Sequence, residues 1–169
     1  MTSEIYLISG VVLSYKLLAF DQSTAKTGWA FFDGENLVKY GVVDKVKIKN
    51  TPDRIRAMYL EIISIIDQCK PDKVIVEAVQ QQASPATSMM LSQLQGMIIG
   101  YLYEHDINVD SPLPTQWRHR LGFIQGKGVK REDLKTQSIK YVNEKFGIDT
   151  ASDDMAEAIC IGAAMIFEV

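Results

Sequence analysis

Residues 16–43 read KLLAFDQSTAKTGWAFFDGENLVKYGVV. Lys16 to Phe20 is a short apolar run closed by Asp21, and two further runs, Trp29 to Phe32 and Leu37 to Val43, flank Asp33-Gly34, a hairpin signal. Three antiparallel strands therefore open the fold. Thr51 as cap and Pro52 at the first helical position start a helix in which Ile55, Met58, Ile62, Ile65, Ile66 and Cys69 recur at helical spacing before Pro71. Val74-Ile75-Val76 is apolar at every position, as in a strand covered on both faces, and it ends in Glu77. Pro85 to Glu104 forms a second helix in which Gly96 and Gly100 leave a smooth spot for close packing. Ile107 to Asp110 is a fifth strand. Thr115 to Lys145 reads as helix on both sides of a loop from Gly122 to Gly128, and a last helix runs from near Ser152 to the terminus. This order describes an α/β fold, a mixed five-stranded sheet with helices on its faces. Residues 1–15 stand outside it, as an extra strand or a loose leader.

The 169 residues suit one domain. An apolar fraction of 47% against 23% charged sets aside disordered and coiled-coil classes. Eighteen Lys and Arg against 21 Asp and Glu leave a net charge of −3, so any attraction to nucleic acid must be local. Cys69 and Cys160 lie far apart without metal-ligand spacing and read as buried thiols of a reducing compartment. No apolar run approaches the ~20 residues of a membrane span, and the N-terminus lacks a signal-peptide pattern. A cytoplasmic protein without membrane contact is expected.

The chemistry lies in carboxylates. Asp21 ends a buried strand, where an aspartate is commonly a turn former. Glu77 ends a strand buried on both faces, a place where acids are rare. Asp154 and Glu157 share one face of the last helix. Ser152 as cap accounts for Asp153 and Asp154 in its first turn, but Glu157 lies deeper in a helix that is apolar nearly all round and needs a cation. Neither His105 nor His119 adjoins these acids, so hard oxygen donors point to Mg²⁺ or Mn²⁺ rather than zinc. Four such carboxylates at one sheet end could hold two ions, the arrangement used in phosphodiester cleavage.

From Trp117 to Lys140, seven basic residues (Arg118, Arg120, Lys127, Lys130, Arg131, Lys135 and Lys140) face two acids, Glu132 and Asp133. This is either a solvated helix face or the local patch for DNA phosphates, with Gly122, Gly126 and Gly128 letting the backbone approach closely. Lys130, or Arg131 beside it, is placed to stabilise charge on a reacting phosphate. Trp117 reads as a core anchor rather than a stacking platform, and Met89, Met90 and Met97 as packing.

The runs Leu18-Ala19-Phe20-Asp21-Gln22-Ser23, Thr27-Gly28-Trp29-Ala30, Val74-Ile75-Val76-Glu77 and Asp154 to Gly162, in that order and context, resemble the RuvC family of Holliday junction resolvases, especially its phage branch. The likeness spans Lys16 to Phe167. It implies a ribonuclease H-like fold with helices on both faces of the sheet. The activity it implies is that of a Mg²⁺-dependent endonuclease, with Mn²⁺ able to substitute. Such an enzyme acts as a homodimer and nicks paired strands of four-way DNA junctions. If the chain is phage-encoded, the compartment is the host cytoplasm. Carried over by position, Asp21, Glu77, Asp154 and Glu157 are the metal-binding acids, with Asp153 the alternative if the helix starts differently. The implied DNA contacts fall to the basic loop and helix, and the helix with Gly96 and Gly100 to the dimer. Glu157 stands where the family usually has aspartate, and Gln80 to Gln82 stand where cellular members carry an aromatic suited to stacking. That departure weakens the case for strict cleavage-sequence preference. Other readings are a less selective nuclease on forks, flaps or RNA, half of an actin-like nucleotide-binding fold, and a junction-binding module without catalysis.

Overall fold

A computed structural model describes residues 7–8, 11–12, 14–80 and 84–166. Strands β1 (Leu7–Ile8) and β2 (Val11–Val12) pair antiparallel with each other and stand apart from the main sheet. The rest of the expected leader before Ser14 lies outside the described residues, as do Gln81, Gln82 and Phe167. The main sheet consists of β3 (Lys16–Asp21), β4 (Lys26–Asp33), β5 (Asn36–Asp44), β6 (Lys73–Val76) and β7 (Asn108–Asp110), in the order β5-β4-β3-β6-β7. The first three are antiparallel, while β6 and β7 run parallel to β3. The mixed five-stranded sheet is thus as the sequence implies.

The boundaries differ where pairing overrides local composition. Strand β4 starts at Lys26 rather than Trp29, because Lys26, Thr27 and Gly28 find partners in Asp44, Val43 and Val42. Ile107 is lost from β7, its N–H being taken by Leu102 O at the end of the preceding helix. The hairpin turns on Gly34, at φ +57°, between paired Asp33 and Asn36.

Strand alternation then sorts the core. Leu18, Phe20, Val74 and Val76 face α1 (Thr51–Cys69) and α2 (Pro85–Glu104). Leu17, Ala19 and Ile75 face α3 (Pro114–Arg120), α4 (Arg131–Phe146) and α5 (Asp153–Ile166). Helices therefore cover both faces, and Cys69 and Cys160 pack on opposite sides as free thiols. The cap of α1 is Asn50 rather than Thr51: Asn50 Oδ1 accepts the Asp53 N–H at 3.0 Å. Ser152 caps α5 as expected, its Oγ accepting from Met155 N–H at 3.3 Å. Gly96 and Gly100 are exposed, and among the described residues no neighbouring element comes within 4 Å of a Cβ added to either, so the smooth spot faces outward. Met90 and Met97 pack against the core as read, but Met89 is 73% exposed and is not part of it.

The connection after Asp21 is tied by Thr27, which is fully buried. Its hydroxyl donates to Ser23 O at 2.7 Å and accepts the Ser23 N–H at 3.1 Å. Thr27→Val keeps the shape and removes both bonds, so about 1–3 kcal/mol of stability should be lost. The check is a lower urea midpoint at unchanged slope; an unmoved midpoint would mean that these bonds contribute nothing net.

Candidate active site

Phe20 and Val76 are the last paired residues of parallel β3 and β6, and Glu77 N–H donates to Phe20 O at 3.2 Å. Asp21 and Glu77 therefore emerge side by side at the carboxyl ends of neighbouring strands. By alternation they share the face of Ala19 and Ile75, the face covered by α5. The first turn of α5 reaches them because Asp21 pairs with Gly28. A Cβ on Gly28 would lie 1.8 Å from the carbonyl oxygen of Asp154, so only glycine admits the helix at this depth. One turn on, Glu157 projects beside Asp154. Asp21, Glu77, Asp153, Asp154 and Glu157 line one cleft of about 450 Å³ together with Arg118 and Arg131.

The crowding shows in the acids. Burial, then the charges of Glu77, Glu157 and Asp154, holds the Asp21 carboxyl well above the usual carboxylate range, with Arg118 opposing. Burial also raises Glu77, against the Trp117 hydrogen bond and the Arg118 charge. Asp154 is raised by burial and by the Asp153 charge. Burial pushes Asp153 up too, but its hydrogen bond and ion pair with Lys135 and the backbone N–H groups of Asp153 and Asp154 outweigh it and hold this carboxyl below the usual range. Arg118 bonds Glu157 Oε1 at 3.1 Å, with both side chains about 15% exposed. The cation demanded by the buried Glu157 is thus supplied from within the chain. Among the described residues, no three Asp, Glu, His or Cys side chains are drawn into one metal-ligating cluster.

The donor set nonetheless fits a hard divalent ion. Arg118 is the cation bonded directly to one of the four, Glu157; Lys135 is engaged by Asp153 and, with Lys26, acts on Asp154 through charge alone. Asp21, Glu77, Asp154 and Glu157 together form a set of oxygen donors of the kind Mg²⁺ and Mn²⁺ take.

The basic residues divide. Arg118 turns inward to Glu157, its side chain about 15% exposed, and Lys135 pairs with Asp153 while keeping its side chain about 32% exposed. Lys127, Lys130 and Arg131 are exposed. Arg131 lines the cleft and Lys130 does not; Lys130 precedes α4, its backbone N–H donating to Asp133 Oδ2 at 2.8 Å. Arg120 is exposed on α3 and reaches Met165 on α5. Trp117 is a core residue as read, but its Nε1–H also donates to Glu77 Oε1 at 2.7 Å. Sequence reasoning missed this bond, although a buried indole N–H ordinarily needs a partner. It also missed Gln95, whose Nε2 donates to Glu77 O at 2.8 Å, and Gln22, whose Nε2 donates to Leu91 O at 2.9 Å beside Asp21.

Residues 17–161 match the family model described as crossover junction endodeoxyribonuclease RuvC. Relatives of that name from Caldicellulosiruptor saccharolyticus and Finegoldia magna are 25% and 27% identical over 158 and 151 residues, spanning 89% and 86% of this chain and 92% and 91% of their own. The fold superposes on Thermus thermophilus RuvC in complex with Holliday junction substrate with a TM-score of 0.73 at 15% identity, covering 90% of this chain and 93% of that one. It also matches the Fowlpox virus resolvase bound to Holliday junction DNA, with a TM-score of 0.63 at 20% identity, covering 90% and 97%.

Proposed function

Because this chain belongs to the RuvC family of crossover junction endodeoxyribonucleases, we propose that it nicks and resolves four-way DNA junctions by metal-assisted phosphodiester hydrolysis. One observation carries the reading: Asp21 and Glu77, at adjacent strand ends, meet Asp154 and Glu157 in a single cleft. These four acids hold divalent metal, Mg²⁺ with Mn²⁺ as substitute. Asp154 serves at the helix end because Lys135 occupies Asp153. Bound there, two such ions supply the charge that activates a water and stabilises the leaving oxygen. The chain's own residues place and neutralise the substrate. Arg131, at the mouth of the cleft, is nearer the reacting phosphate than Lys130. Lys127, Lys130 and Arg120 take backbone phosphates, which makes affinity fall steeply with salt. The assembly is a homodimer through the outward face of α2, where exposed Gly96 and Gly100 let a second helix approach. Two copies supply one site for each strand to be nicked. No helix among the described residues is long and apolar enough to cross a membrane.

A mobile four-way junction, a fork and linear duplex, each incubated with Mg²⁺ and with EDTA, test this reading. Paired nicks confined to the junction and abolished by EDTA are expected. Equal cutting of all three substrates would make it a general structure nuclease, and EDTA-resistant cutting would remove the metal from the mechanism.

A further inference from the structure

Two neighbouring side chains of α3 hold acids that reach the cleft from different elements. Trp117, fully buried, donates its indole N–H to Glu77 at the end of β6 at 2.7 Å. Arg118 stacks over the same indole, its guanidinium carbon 4.7 Å from the ring centroid, and bonds Glu157 of α5 at 3.1 Å. Helix α3 is thus a brace between two carboxylates that nothing in chain order connects.

Its two prongs differ in kind. Trp117 is a neutral donor, pinned edge-on by Phe123 at 5.9 Å between centroids. Its bond engages one oxygen of Glu77 and leaves lone pairs for a further partner, as donors behind metal-ligating carboxylates do. Arg118 carries a full charge, which an ion at Glu157 would meet at repulsive range. Its Nε is also buried and has no hydrogen-bond partner among the described residues, so the guanidinium is incompletely satisfied where it stands.

Resting on the reading of these acids as a divalent-metal site, we propose that Trp117 is a positioning residue that fixes Glu77 for the ion, and that Arg118 is an internal counter-cation that the ion displaces from Glu157. Trp117 stays when metal arrives; Arg118 leaves. Substitutions at two adjacent positions should then move metal affinity in opposite directions.

The experiment is Mn²⁺ binding to the DNA-free protein, followed by electron paramagnetic resonance. Trp117→Phe should weaken binding about 10–100-fold, and Arg118→Met should tighten it roughly tenfold. A second readout separates positioning from packing. The chain has two tryptophans, and the single indole N–H resonance that remains in Trp29→Phe identifies Trp117. That resonance should shift when Mg²⁺ is added to wild type and stay fixed in Glu77→Gln. Because it is measured on those two proteins, it decides the matter even if Trp117→Phe fails to fold. Weaker binding in both variants, or an indole resonance that ignores Mg²⁺ in wild type that binds it, would overturn the proposal alone. Wild type that binds no Mn²⁺ would overturn the metal reading and this inference with it.

Discussion

Asp21→Asn loses junction cleavage by roughly 10³-fold or more, the kinetic equivalent of about 4 kcal/mol, while junction binding stays within a few-fold of wild type. The asymmetry follows from position. Asp21 sits where β3 and β6 end together and is the acid on which the charges of Glu77, Glu157 and Asp154 all act. A neutral amide of the same shape keeps the cleft intact and removes the donor charge nearest the centre of the set. The exposed bases proposed to take phosphates, Lys127 and Lys130, are untouched. The same substitution should raise the melting temperature of the metal-free protein. A carboxyl held above its usual range by burial and by like charges makes the folded state less stable when ionised, so replacing it with a neutral group relieves that penalty. Cleavage assays and gel shifts on one junction, with melts in EDTA, check all three statements. A variant that still cuts within tenfold of wild type would remove Asp21 from the catalytic set.

Gly28→Ala is expected to cost about 1–3 kcal/mol of stability through overpacking and to lower cleavage by ~10²-fold or more, the penalty for shifting a reacting group by about an ångström. The added methyl would lie 1.8 Å from the Asp154 carbonyl oxygen, a backbone atom that yields only if α5 lifts from the sheet. Lifting α5 carries Asp154 and Glu157 away from Asp21 and Glu77. Gly162→Ala is the matched control. Gly162 lies about two turns beyond Asp154 on α5, and there the nearest atom is Cε2 of the Phe32 side chain on β4, 2.3 Å from the added Cβ. It should lose comparable stability with much less effect on cleavage. If Gly28→Ala were destabilised yet fully active, the placement of Asp154 by this contact would be wrong.

The parts of the fold legible in advance were those that depend on neighbours in the chain. The Asp33-Gly34 hairpin, the two-faced burial of Val74 to Val76, the Pro85 to Glu104 helix and the Ser152 cap all rest on spacing and turn chemistry, and each stands where it was expected. Errors of one to three residues, at Asn50, Lys26 and Ile107, arose where a distant or capping hydrogen bond outweighed local preference. In the site, Asp21 and Glu77 were visible because an acid closing a buried strand is unusual, and Glu157 because it lies in an apolar helix. The pairing of Arg118 with Glu157 and of Lys135 with Asp153 was not legible. A charge count cannot distinguish an arginine that faces solvent from one that turns under a neighbouring helix.

The sequence by itself determined the element order, the mixed sheet and which acids stand at strand and helix ends, because alternation, helical periodicity and capping act over a few residues. Only the tertiary structure decided which cation each acid meets. The pairing of β3 with β6 brings Asp21 to Glu77, and the approach of α5 over Gly28 brings Asp154 and Glu157 to both. The packing of α3 against α5 then turns Trp117 and Arg118 inward upon them. The bonds of Trp117 and Arg118 join residues 39 to 40 positions apart along the chain, and electrostatic energy depends on distance in space and on burial, neither of which local sequence encodes.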